Sequence, residues 1–170
     1  MTNAFRQDSL SQRLVRRARS DETGSALIEL AMALSFLGIP LLLGTIYVGM
    51  LLFYSTEVAN AAHAGALYGM QSSTFAADSD GITSASQSEA TDVGASLNVA
   101  PAIFYACSSA IDGTQYTTQA AATTACTGGS NHALEFVQVT ASYGVTPFAR
   151  IPGMQKTITV STTSVMEVEE

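Results

Sequence analysis

The hydrophobic rhythm of this chain changes three times. Residues 1–24 mix charged and polar positions with no period, and the run from Leu30 to Phe53, LAMALSFLGIPLLLGTIYVGMLLF, then places 24 residues in a row without a charge. At about 1.5 Å of rise per residue that is roughly 36 Å of helix, enough to cross about 30 Å of hydrocarbon with some tilt. Val58, Ala62, Gly65, Tyr68 and Gly69 recur at helical spacing beyond it, so the helix is expected to continue to about Gly69 with a narrow face of alanine and glycine suited to close packing. Pro40 removes the hydrogen bond to the Phe36 carbonyl and predicts a kink.

The second change comes at Gln71. From there to Gly81 the chain is rich in serine, alanine and aspartate and reads as a loop; Ile82, Ala85, Ala90, Val93 and Leu97 then predict a second helix that ends before Pro101. The third change is to a period of two. Val137, Val139, Ala141, Tyr143 and Val145 alternate with Gln138, Thr140, Ser142 and Gly144, the mark of a half-buried strand. After Pro147 and the Pro152-Gly153 turn pair, Ile158, Val160, Met166 and Val168 alternate with Thr157, Thr159, Ser161 and Glu167, an antiparallel partner, and Ile103-Phe104-Tyr105 offers a third strand. A small antiparallel sheet packed on a helix is an α+β fold. The expected organisation is a leader at 1–24, a transmembrane helix with an extension at 25–70, and an α+β domain at 71–170.

Charge divides the chain in the same place. Residues 1–24 hold five basic side chains (Arg6, Arg13, Arg16, Arg17, Arg19) against three acids (Asp8, Asp21, Glu22), a net of +2, whereas 25–170 hold two basic residues, Arg150 and Lys156, against eleven acids, a net of −9. The basic flank before the apolar run places the N-terminus in the cytoplasm and everything past about Tyr54 outside. A domain so acidic lacks the lysines and arginines that displace counterions from phosphate, which excludes nucleic acid as a partner. Ala59-Asn60-Ala61 has the small-x-small form of a signal-peptidase site, but the uncharged core is far longer than a signal's 7–15 residues.

Glu29 stands out against the apolar helix. An acid within such a span costs a few kcal/mol if it stays unpaired, and Gly24 stands five positions before it, at the junction of leader and helix. Gly24-Ser25-Ala26-Leu27-Ile28-Glu29 resembles the prepilin processing motif, with cleavage after glycine and glutamate as the fifth residue of the mature chain. The chain resembles the TadE-like pseudopilins, or minor pilins, of the Flp (tight adherence, Tad) pilus system. The likeness continues into Val58-Ala59-Asn60-Ala61-Ala62-His63-Ala64-Gly65-Ala66-Leu67-Tyr68-Gly69 and into the closing stretch from Val137 to Met166. Leu30 stands where such proteins usually show Phe or Tyr, His63 and Leu67 where arginines are common, and residues 72–132 match nothing in the family.

The resemblance implies a pilin-like α+β fold and a bitopic precursor in the bacterial inner membrane, its N-terminus cytoplasmic and its C-terminal domain periplasmic. It implies trimming by a prepilin peptidase between Gly24 and Ser25, with other pilins, the Flp assembly machinery and membrane lipid as partners, and a role in type IVb pilus assembly, adhesion and biofilm formation. Trimming would leave a new α-ammonium on Ser25, about one helical turn from Glu29. In hydrocarbon a carboxylate pairs strongly with an ammonium, its own or a neighbour's, so Glu29 is read as the assembly group.

Cys107 and Cys126 are the only cysteines, both on the expected outer side, and in an oxidising periplasm they are expected to pair. A metal site of Cys107, Cys126 and His132 lacks ligand spacing and a fourth donor, so no metal is expected. Asp78-Ser79-Asp80-Gly81 has part of a calcium loop, with Ala76 and Gln87 at positions that need ligands, and reads as a solvated turn. The chain has no nucleophile elbow, phosphate loop or dinucleotide fingerprint, and with His63 and His132 as its only histidines no enzyme, cofactor or small-molecule substrate is expected. A proton relay on Glu29 would need a second acid, base or histidine in the span, and none is present. The alternative function is an uncleaved, membrane-anchored periplasmic binding module in which Glu29 is an incidental interfacial acid.

Overall fold

The structure, a computed structural model, describes residues 24–110, 113–128, 131–147 and 156–169. The Arg-rich leader and the Pro152-Gly153 turn lie outside the described residues. The described chain is α+β. Helix α1 runs Gly24–Gly69, followed by the short helices α2 (Ser73–Ala77) and α3 (Ser79–Glu89), a 3-10 turn at Gly94–Ser96, strand β1 (Asn98–Cys107), helix α4 (Gln119–Ala125), and strands β2 (Ala133–Val145) and β3 (Ile158–Glu167). By packing, the chain falls into two units, one ending at Val48 and the other beginning at Gly49. α1 ends at Gly69, and the break in packing lies inside the helix.

In the first unit the helix carries its apolar side chains outward. Leu27, Ile28, Leu30, Met32, Leu34, Phe36, Leu37, Ile39, Leu41 and Leu42 are all exposed, Phe36 to 90%. Just ahead of Pro40, Leu34–Gly38 widen into a π turn. The proline ring collides with the carbonyl four residues back and offers it no N–H, and a widened turn accommodates both defects without ending the helix. The hydroxyls of Ser35 and Thr45 donate to the carbonyls of Ala31 and Leu41 at 2.7 and 2.8 Å, so neither needs an outside partner.

In the second unit the remainder of α1 lies on the sheet. Val58, Ala61 and Ala62 are buried against Ala141 of β2 and against Ala90, Val93 and Leu97; Ala66 is buried with Ile82, Val137, Val139 and Val168. Alanine and glycine on this face let the helix approach the sheet closely, and a Cβ on Gly69 would stand 2.9 Å from a Val137 methyl. Each fully buried valine or isoleucine here contributes roughly 1.5–3 kcal/mol relative to exposure.

The sheet is antiparallel in the order β1-β2-β3. β1 pairs with β2 from Asn98↔Ser142 to Cys107↔Ala133, and β2 with β3 from Phe136↔Glu167 to Val145↔Ile158. All three expected strands are present, the first longer than Ile103-Phe104-Tyr105. Odd positions of β2 face the helix. On the opposite face Phe104 stacks on Phe136, their centroids 5.3 Å apart, beside Ala106 and Leu134. The Cys107–Cys126 disulfide is formed, Cα–Cα 5.3 Å, and fastens the end of α4 to the end of β1.

Two local expectations are corrected. Residues 71–81 are not a plain loop: Ser72 caps α2 by accepting from the Phe75 N–H, and Asp78 caps α3 by accepting from the Gly81 N–H at 3.0 Å. The serines and aspartate that looked like loop chemistry satisfy helix ends instead. The second helix stops at Glu89, and Gly94, at φ +33°, turns the chain into β1. Pro101 therefore lies inside a strand. It is tolerated because β1 is an edge: Tyr105, of the same parity, gives its N–H to Tyr116 and not to β2, so the donor missing at Pro101 falls on the open side.

Candidate functional site

Gly24 is the first described residue and already helical, and Ser25 and Glu29 follow on α1 four positions apart, one turn, hence on one face. Ser25 and Glu29 are both exposed. The next charged residue along the helix is Glu57. No hydrogen bond or ion pair engages the Glu29 carboxylate among the described residues. The surroundings of Glu29 on its own helix are Ala26, Leu27, Ile28, Leu30 and Met32, all exposed and all but one bulky and apolar. Chemically the site is a lone carboxylate on an unburied hydrocarbon surface. In a medium poor in water a carboxylate pairs strongly with a cation.

α1 is long and apolar enough to cross a membrane, with mean hydropathy 2.2 over its most apolar window and none of that window buried. A buried core helix would have its apolar residues covered, and this stretch does not.

The other candidates fall into place away from this helix surface. Among the described residues no group of three or more His, Cys, Asp or Glu is arranged to hold a metal ion. Asp78 is spent on structure: its carboxylate accepts from the Gly81 N–H and, at 2.8 Å, from the Tyr68 hydroxyl. These bonds, the Gly81 amide first, hold its carboxyl below the usual carboxylate range. His63 is exposed on α1, while the backbone of His132 pairs with Ser108 through both its carbonyl and its N–H. The Tyr68–Asp78 clasp and the bonds that the Ser108 hydroxyl and the Ser109 N–H give to the Asn131 side-chain oxygen have no periodic signature, and only the Asp-x-x-Gly capping pattern pointed to the first.

None of the family models, curated proteins or solved structures compared with this chain matches it.

Proposed function

We propose that the chain is a minor pilin or pseudopilin of the TadE-like kind, made as a single-pass inner-membrane precursor and used in assembling a Flp-type pilus. A prepilin peptidase trims it between Gly24 and Ser25, and the periplasmic α+β unit follows the membrane helix. The observation that carries this reading is the pair Gly24 and Glu29 at the head of a helix whose first turns, Leu27 to Leu42, carry their large apolar side chains exposed. A lone acid there is costly in lipid without a cation. Removal of the leader supplies one, the Ser25 α-ammonium of the same or an adjacent subunit, so that the acid becomes compatible with hydrocarbon only when two helix heads come together. The peptidase, neighbouring pilins and lipid are the partners, and adhesion is the outcome.

The structure of α1 also speaks against the small-x-small site at Ala59-Asn60-Ala61. Val58, Ala61, Ala62 and Ala66 are core residues of the second unit, and a cut between them would divide the core.

The test is the mass and N-terminal sequence of the protein extracted from its native membrane, with fractionation of sheared pili. A chain beginning at Ser25 and present in the sheared fraction is the expected result. A chain beginning at Met1 overturns this reading in favour of an uncleaved anchored binding module.

A further inference from the structure

The second unit distributes its charges unevenly. Of the eleven acids in 25–170, none falls among the 31 residues from Phe136 to Met166, and both basic residues of 25–170, Arg150 and Lys156, do. Lys156 is exposed and stands two positions before β3, while Arg150 lies outside the described residues. The course of α1 along β2 locates Lys156 against the helix. Gly69 meets Val137, Gly65 meets Val139, and Ala61 shares a core cluster with Ala141. Four helix residues rise about 6 Å and two strand residues about 6.6 Å, so helix and strand keep pace, and the next two steps set Glu57 level with Tyr143 and Phe53 level with Val145. The rings of Tyr54 and Tyr143, 5.2 Å apart, follow the same course. Val145 pairs with Ile158, the first residue of β3. Continued at strand spacing, Thr157 and Lys156 come level with about Leu51 and Gly49.

That level is where the uncharged run of α1 ends, at Phe53. A hydrocarbon core takes about 20 residues of helix, Leu30 to Gly49, and the headgroup layer adds about 5–7 Å, the rise of about four more, Met50 to Phe53. Leu52 and Phe53 are exposed there, as are Lys156 and Thr157. The nearest acids stand farther out: Glu57 is a turn beyond Phe53, and Glu89 and Asp92 adjoin Ala90 and Val93, which cluster with Val58, Ala61 and Ala62.

We propose that this end of the sheet rests in the lipid headgroup layer, with Lys156 on the phosphates of anionic phospholipids and the Tyr54–Tyr143 pair at the outer boundary of that layer. Continuity and charge select the occupant. The surface adjoins the last apolar turn of the helix, so whatever surrounds that turn also reaches the sheet. Tyrosine, with an apolar ring and a polar tip, is favoured at such a boundary, and a lysine can lay its apolar stem inward while its ammonium meets phosphate. A sheet end without acids meets no like-charge repulsion from anionic headgroups. The proposal rests on reading α1 as a membrane span, and it holds whether or not the leader is removed.

The experiment reconstitutes the full chain in phosphatidylglycerol vesicles and attaches bimane to Thr157→Cys; the two native cysteines are held in their disulfide and do not compete for the label. A nitroxide on the phospholipid headgroup is expected to quench this label at least about fivefold more than one on Val165→Cys, which is exposed about 26 Å farther along the strand. Lys156→Glu is expected to lower the quenching at Thr157→Cys about fivefold and Lys156→Arg to preserve it. Should the circular dichroism spectrum of Lys156→Glu change, Lys156→Gln is read in its place with the same direction. A bimane on Leu43→Cys, quenched by a nitroxide at the acyl-chain end, reports the span itself. Leu43→Cys unquenched overturns the membrane span and this contact with it. Leu43→Cys quenched, with Thr157→Cys quenched no more than Val165→Cys or indifferent to Lys156→Glu, overturns the headgroup contact alone.

Discussion

Gly65 of α1 lies directly against Ser86 of α3: a Cβ built on Gly65 would collide with the Ser86 hydroxyl oxygen, with methyls of Val139 and Ile82 at 3.2 and 3.3 Å closing the other sides. Ser86 is fully buried and its hydroxyl has no hydrogen-bond partner among the described residues. The sheet, the long helix and the short helix thus meet at a point where one residue must have no side chain.

Gly65→Ala is therefore expected to destabilise the folded unit by about 1–3 kcal/mol through overpacking. Ser86→Ala removes a hydroxyl that is buried without compensation and is expected to be neutral or stabilising by up to about 1 kcal/mol. Urea denaturation of the detergent-solubilised chain measures both, and a Gly65→Ala variant as stable as the parent would show that the contact relaxes freely.

The disulfide closes a loop with a sequence separation of 19. Replacing both Cys107 and Cys126 by serine is expected to cost about 3 kcal/mol in the chain-entropy picture. The loss should equal that seen on adding reductant to the parent protein, with the melting temperature as the readout.

Asp78 titrates below the usual carboxylate range because the Gly81 N–H and the Tyr68 hydroxyl bind its charged form. Its folded pKa is depressed, so its contribution is present above the unfolded carboxylate value and lost as pH falls through the lower folded one. Asp78→Asn keeps a helix cap but discards the charge. The gap in melting temperature between parent and variant should be largest near neutrality and shrink on acidification into the carboxylate range. A gap that is constant with pH would remove Asp78 from the acid response.

At the head of α1, Gly24→Ala is expected to leave the precursor mass unchanged by blocking trimming. Glu29→Val should be trimmed normally yet lower the amount of pilus in the sheared fraction about tenfold or more. Normal piliation in a Glu29→Val strain would refute the assembly role of the carboxylate.

Some elements of the fold could be read from local pattern alone. The uncharged run from Leu30 to Phe53 demanded a helix, and the alternation from Val137 to Val145 demanded a strand, because each pattern extends over several turns or pairs and no other backbone period fits it. Residues 71–101 were harder. Ser72 and Asp78 are the side chains a loop would use, and only the amides waiting at Phe75 and Gly81 make them caps. Val93 and Leu97 keep helical spacing from Ile82 although the chain has already left the helix at Glu89; both are buried because the core needs them, whatever the backbone between them does.

The amino-acid sequence by itself determined the division of this protein into a charged N-terminal stretch, an apolar helix and an acidic α+β unit, the position of Gly24 and Glu29 at the start of that helix, and the residues that alternate in its last two strands. These are consequences of local period and local charge. Only the tertiary structure decided that Gly65 must be glycine, that Pro101 can lie in a strand, that Phe104 meets Phe136, and that Tyr116 pairs with the outer side of β1. Each of those depends on groups far apart in the chain arriving at the same place, and the energy of such meetings is set by steric fit and by which backbone donors are already taken, neither of which a local pattern contains.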